Sequence, residues 1–296
     1  MQTSFEGIWV PIITPFVDDD VDHAALARLA SHLQASGIAG LVVGATTGEG
    51  ALLHPGEQEA MFATLRKTVP TMPIVLGISQ PATRTAVAQA RNLSALGADG
   101  LLVTAPTYVR PTQQGIQRHF EAIVEAADLP VLVYNIPYRT GIDIAVETLQ
   151  ALASDPRIAG IKECGGSTDR MFRLIHDTPL RVLSGDDNQN FVALCLGAHG
   201  TIAASAHIAP ELHVRMYHLI RQGAIDPARD IAMALHPIIC DLFAEPNPAP
   251  LKALLAEQGW CTSTLRLPFL AANADLARRL LDRWQTLARL PIAAGP

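Results

Sequence analysis

A chain of 296 residues is long enough to bury a large core, either as one big domain or as two small ones. Its formal net charge of −6, with no dense run of Lys and Arg, gives no electrostatic basis for a nucleic-acid groove. Although 49% of the residues are hydrophobic, no uninterrupted apolar stretch reaches about 18 residues, and no basic segment followed by an apolar one stands near the N-terminus; the expectation is a soluble, cytoplasmic protein without membrane contact.

Along the chain, short apolar runs alternate with amphipathic stretches. Trp9–Ile13, Gly40–Val43, Pro73–Gly77, Gly100–Val103, Pro130–Tyr134, Ile158–Ile161, Arg181–Leu183 and Thr201–Ala203 read as strands. Between them the apolar spacing becomes helical, as in Leu26, Leu29, Ala30 and Leu33, opened by Asp22 as a cap and stopped by Gly37. Ala86, Val87, Ala90 and Leu93 repeat the pattern, with Gly97 as the stop. Strands that are apolar throughout, alternating with helices, predict a parallel sheet covered by helices. Eight such units predict a closed (β/α)8 TIM barrel over residues 1–224. A doubly wound open sheet is the alternative, because periodicity does not show closure. After Arg221 the alternation ceases. Helical patterns follow at Ala228–Phe243, Leu251–Gln258 and Asp275–Leu287, a C-terminal extension over residues 225–296 expected to pack on the barrel.

Catalytic groups of such a barrel cluster where strands end, and the unusual motifs fall there. Lys162, in Gly160-Ile161-Lys162-Glu163-Cys164, closes the sixth strand. Burial disfavours its ammonium form, and bringing its pKa toward 7 corresponds to roughly 4–5 kcal/mol. The neutral amine so exposed can attack a carbonyl; the plain alternative is a lysine fringing a strand end. After strand two, Gly44-Ala45-Thr46-Thr47-Gly48-Glu49-Gly50 offers close backbone approach and two hydroxyls, without the Lys of a phosphate-binding loop. It suits a carboxylate, or is simply a polar turn. Strand five ends in Tyr134-Asn135-Ile136-Pro137-Tyr138-Arg139-Thr140-Gly141. Arg139 matches a planar carboxylate or makes a salt bridge to Glu163 or another surface acid, and Tyr134 either moves protons or makes a structural hydrogen bond. Strand four leads to Tyr108, a second phenol at the rim or a cover for a subunit interface.

Asp186 and Asp187 stand at a strand end before a helix, where capping is a better reading than a metal or an acid-base pair. The four cysteines, Cys164, Cys195, Cys240 and Cys261, form no Cys-x-x-Cys pair and read as reduced thiols. The histidines lack His-Glu-x-x-His spacing and read as surface or packed residues.

Taken together, Thr46-Thr47-Gly48-Glu49, Tyr134-Asn135-Ile136-Pro137, Gly160-Ile161-Lys162-Glu163, Ser184-Gly185-Asp186-Asp187 and Glu245-Pro246-Asn247-Pro248 resemble, over nearly the whole chain, the dihydrodipicolinate synthase and N-acetylneuraminate lyase family of pyruvate-dependent Schiff-base aldolases. Arg139-Thr140-Gly141 is similar to the dihydrodipicolinate synthase branch. The resemblance implies that Lys162 condenses with pyruvate, that Thr47 and the backbone around Ile202 hold the pyruvate carboxylate, and that Tyr134 shuttles protons. Thr46 and a Tyr108 from a neighbouring subunit would assist in a homotetramer built as a dimer of dimers. Arg139 would orient aspartate semialdehyde, and neither a metal nor an organic cofactor is implied.

Two departures stand out. Tyr138 occupies a place where that branch more often has a small residue, so another aldehyde, such as a sugar-acid derivative, is the competing substrate. The places of Pro55, Gln58, Pro81, Thr85 and Thr107 lack most of the groups that bind lysine in lysine-inhibited relatives, so feedback inhibition is expected to be weak or lost. A non-catalytic sensor of 2-oxo acids is a third possibility from a different functional class.

Overall fold

The computed structural model describes residues 4–289; residues 1–3 and 290–296, the outer ends of the two expected segments, lie outside the described residues. Eight parallel strands form the core sheet: β1 (Gly7–Pro11), β2 (Gly40–Val43), β3 (Ile74–Ile78), β4 (Gly100–Thr104), β5 (Val131–Asn135), β6 (Ile158–Glu163), β7 (Arg181–Ser184) and β8 (Gly200–Ile202). Their hydrogen-bonded order, β1-β8-β7-β6-β5-β4-β3-β2, closes on itself. Closure selects the TIM barrel over the open sheet. It also explains why β3, β4 and β5 are buried at every position: one face fills the barrel and the other meets helices.

Two compact units divide these elements. The first comprises residues 4–7 and 73–202, with β3 to β8 alternating with α3 (Thr83–Ala95), α4 (Gln113–Ala126), α5 (Val146–Leu152), α6 (Thr168–Asp177) and α7 (Asn190–Cys195). Its helices bury the predicted apolar stripe, Ala86, Ala90 and Leu93 in α3, while Gly97 with φ of +80° ends that stripe. Here α3 packs on α4, α4 on α5 and α5 on α6.

The second unit comprises residues 8–72 and 203–289. It holds α1 (His23–Ala35), α2 (Glu57–Thr68), α8 (Pro210–Arg221), α9 (Ile225–Leu242), α10 (Ala249–Glu257) and α11 (Ala274–Ala288). Asp22 caps α1 as expected, accepting the Ala25 amide at 2.9 Å. Gly40 is fixed by packing, since a Cβ there would lie 2.5 Å from the Trp9 ring atom Cε3. Helix α9 starts three positions before the expected Ala228, because Pro227 sits in its first turn, where its missing N–H costs nothing. It packs on α8 and α11, and α10 also packs on α11. No helix among the described residues is long and apolar enough to cross a membrane.

Candidate active site

In the first unit, strand register brings the two leading candidates together. Tyr134 of β5 and Lys162 of β6 are ladder partners, so their side chains share a face of the sheet. The Lys162 Nζ donates to Tyr134 Oη at 3.2 Å and stands 4.3 Å from the centre of that ring. Lys162 is only 4% exposed. Burial lowers its pKa from the ordinary lysine value, and the positive charge of Arg139 acts in the same direction; Cys164 and Asp187 oppose the shift. The Cys164 thiol is itself pushed up to about 12 by burial. It therefore stays neutral, leaving Asp187 as the anion that moderates the lysine. Gly185 makes room for this arrangement: a Cβ there would come within 2.6 Å of Lys162 Cε.

Adjacent residues clamp the ends of the same two strands. Asn135 Nδ2 donates to Glu163 Oε1 at 2.8 Å and to Asp143 Oδ1 at 2.7 Å, and its Oδ1 accepts the Ile144 amide. Arg170 Nε donates to Glu163 Oε2 at 2.9 Å. Burial raises the Glu163 pKa, while Arg170 and Asn135 pull it back. The partner of Glu163 is thus Arg170, not Arg139. The reason is alternation: Glu163 points to the face opposite Lys162, toward α6, which carries Arg170.

Arg139 lies in a single helical turn, Pro137–Thr140, and is exposed, its guanidinium carbon 5.7 Å from the centre of the Tyr138 ring. Tyr138 is itself 71% exposed, so it flanks Arg139 as a rim group. Tyr108 projects from its loop at 93% exposure with φ of +70°. That conformation is costly for a bulky residue. Ile202 ends β8 fully buried. Asp186 caps a short turn by accepting the Asn188 amide at 3.3 Å, in line with the capping reading.

In the second unit, Thr46–Gly48 forms a 3-10 turn in which Thr47 is buried and Thr46 half-buried. Asn247 Nδ2 donates to Thr47 Oγ1 at 2.9 Å. Because that oxygen already accepts, the hydroxyl hydrogen is left to donate elsewhere, as a carboxylate-binding group must. Glu49 follows in the left-handed region, φ +53°, with both carboxylate oxygens engaged: Lys252 Nζ at 2.6 Å and the Arg266 amide at 3.1 Å. Thr14 Oγ1 donates to the Gly48 carbonyl at 2.6 Å. Sequence reasoning missed Lys252; a lysine within the apolar run Ala249–Leu255 was the available signal. Gln58 is buried and donates to the Val43 carbonyl at 3.2 Å, so its amide serves the backbone. His207 is buried between the segment that follows β1 and its own turn: its Nε2 accepts the Ile13 amide at 3.2 Å and its Nδ1 faces the Ala204 carbonyl at 2.8 Å. Among the described residues, no cluster of three or more His, Cys, Asp or Glu side chains could hold a metal ion.

The profile of the dihydrodipicolinate synthetase family matches residues 4–284. The 4-hydroxy-tetrahydrodipicolinate synthase of Listeria welshimeri is 37% identical over 88% of this chain and 91% of its own length. That of Thermotoga neapolitana is 34% identical over 91% of this chain and 94% of its own. Among solved structures, dihydrodipicolinate synthase from Thermotoga maritima superposes with a TM-score of 0.94 at 30% identity, covering 97% of this chain and all of that one.

Proposed function

Since the chain belongs to the dihydrodipicolinate synthetase family, we propose that it is a lyase of the Schiff-base aldolase type, a 4-hydroxy-tetrahydrodipicolinate synthase that condenses pyruvate with L-aspartate semialdehyde on the route to diaminopimelate and lysine. The observation that carries this reading is the buried Lys162 amine, its pKa lowered by desolvation, donating to the Tyr134 phenol at 3.2 Å. A buried amine is neutral over a wider pH range than a solvated one, and only the neutral form is a nucleophile.

The neutral Nζ attacks the pyruvate C2 carbonyl; the carbinolamine loses water to give a protonated imine linked to Lys162. That imine is the electron sink into which the methyl C–H electrons flow when the proton leaves, giving an enamine. The enamine carbon forms the new carbon-carbon bond to the aldehyde carbon, and the aldehyde oxygen takes a proton. The amino group of the adduct then displaces Lys162 as the ring closes. In this proposal Tyr134 passes protons to and from Nζ and the adduct, and within hydrogen-bond reach such a group contributes typically about 10²–10⁴-fold. Thr46 and Tyr108 complete the relay in this proposal. Thr47 and the backbone at Ile202 hold the pyruvate carboxylate, and Arg139 reads the carboxylate of the semialdehyde.

The same reading has a cytoplasmic homotetramer arranged as a dimer of dimers, with Tyr108 entering a neighbouring subunit's site. The 93% exposure of Tyr108 and the 58% exposure of Val109 beside it support that assembly; sedimentation velocity tests it. Lysine feedback is weak or absent in this proposal.

Borohydride reduction in the presence of pyruvate tests the chemistry. A stable mass on the peptide containing Lys162 is expected, and labelling at another lysine would falsify the assignment. Turnover with a panel of aldehydes then tests the substrate: strong preference for the carboxylate-bearing semialdehyde supports the synthase, whereas indifference to that carboxylate leaves a pyruvate-dependent aldolase acting on a different aldehyde.

A further inference from the structure

We infer that Thr104 is a further substrate-contacting residue, its hydroxyl serving the oxygen of the aldehyde partner; the inference rests on the Schiff-base reading of Lys162. Thr104 is the last residue of β4 and the ladder partner of Tyr134, which is in turn the ladder partner of Lys162. Partners in a pleated parallel sheet present their side chains to the same face, so the three residues form one row at the strand ends, where barrel enzymes do their chemistry. Neighbouring strands are about 4.8 Å apart, which puts the Thr104 backbone roughly 10 Å from that of Lys162 with Tyr134 between them. A group bonded to Lys162 Nζ has Tyr134 beside it on this side of the row, and in this inference the aldehyde carbons added to it extend past Tyr134 toward Thr104.

The state of the hydroxyl supplies the second observation. Thr104 is 5% exposed, and its Oγ1 has no hydrogen-bond partner among the described residues. A buried hydroxyl left unsatisfied is destabilising. Valine has the same shape and the same preference for strands, so packing alone gives no reason for an oxygen here. In the condensation, the enamine forms a bond to the aldehyde carbon and pushes an electron pair onto the aldehyde oxygen. Tyr134 supplies the proton that neutralises it. Thr104 donates a hydrogen bond to that oxygen without itself losing the proton, and so stabilises charge that develops only as the bond forms.

Three variants test this on the full-length protein: Thr104→Val, Thr104→Ser and Thr104→Ala. Thr104→Val is expected to lower kcat/KM for the aldehyde roughly tenfold or more, to leave borohydride trapping of pyruvate at Lys162 unchanged, and to raise Tm. Thr104→Ala should repeat the kinetic loss, and Thr104→Ser should recover most of the activity. Wild-type kinetics in Thr104→Val, or a serine variant as impaired as the valine one, overturns the inference while the Schiff-base reading stands. Failure of the wild-type enzyme to trap pyruvate at Lys162 overturns both.

Discussion

Lys252 and Glu49, 203 residues apart in sequence, meet as a fully buried ion pair with Nζ 2.6 Å from Oε1. Glu49 stands directly after the Thr46–Gly48 turn, and Lys252 also donates to the Thr264 carbonyl at 2.7 Å. The net worth of such a pair is small, because desolvation offsets the attraction, but removing one partner strands the other. Lys252→Met should therefore cost about 3–5 kcal/mol in urea unfolding. Adding Glu49→Gln should recover part of that loss. A single variant within about 1 kcal/mol of wild type contradicts this account.

Lys162 carries a stability penalty that depends on pH. Its folded-state pKa lies below 10.5 because burial disfavours the charge. Below that folded value both states are protonated and the full cost of burying the ammonium is present; between it and 10.5 the folded lysine is neutral while the unfolded chain still holds the proton. As pH rises toward 10.5 the unfolded lysine also becomes neutral and the penalty vanishes. Lys162→Met should accordingly be more stable than wild type at neutral pH, with an advantage that shrinks toward pH 10.5. Unfolding curves across that range check the slope, and imine formation should be abolished throughout.

Tyr134→Phe keeps the ring beside Lys162 and removes the hydroxyl that accepts from Nζ. Chemical steps should slow by roughly 10²–10⁴-fold with little change in Tm. Near-normal turnover in rapid-quench measurements would reduce Tyr134 to a structural partner.

Arg139 is exposed on its turn and holds none of the buried pairs described above, so its loss should leave the fold intact. Arg139→Ala should weaken apparent affinity for aspartate semialdehyde by on the order of 10–100-fold, the scale of a lost charge-assisted contact, while pyruvate trapping persists. Loss of pyruvate capture with retained aldehyde preference would reverse the roles assigned to Arg139 and Thr47.

His207 predicts acid sensitivity. Burial pushes its pKa from 6.5 down to about 4, partly offset by the Ala204 carbonyl, and its Nε2 must stay unprotonated to accept the Ile13 amide. Above about pH 6.5 both folded and unfolded forms are neutral and the full stability is present. As pH falls from there toward 4 the unfolded state gains the proton first, so up to about 3 kcal/mol is lost over that window. Imidazole nitrogen NMR should show His207 neutral down to about pH 5; a titration near 6.5 refutes the assignment.

Much of this was legible in the chain itself. Runs such as Gly100–Val103, apolar at every position, and helical stripes such as Ala86, Ala90 and Leu93 are local patterns, so strand and helix order follows from them. The cap Asp22 and the stop Gly97 act within one helical turn, and the site motifs lie at the ends of the predicted strands. What local pattern left open was the contacts between residues distant along the chain. Barrel closure is a property of strand pairing that periodicity does not encode. Register, a matter of one residue in the ladder, aligned Thr104 with Tyr134 and Tyr134 with Lys162. The partner of Glu163 proved to be Arg170 because alternation turned that carboxylate away from the lysine. The Lys252–Glu49 pair and the Asn247–Thr47 hydrogen bond span more of the chain than local pattern reasoning covers. Burial, which sets whether a lysine is a solvated cation or a nucleophile, exists only once those long-range contacts have formed.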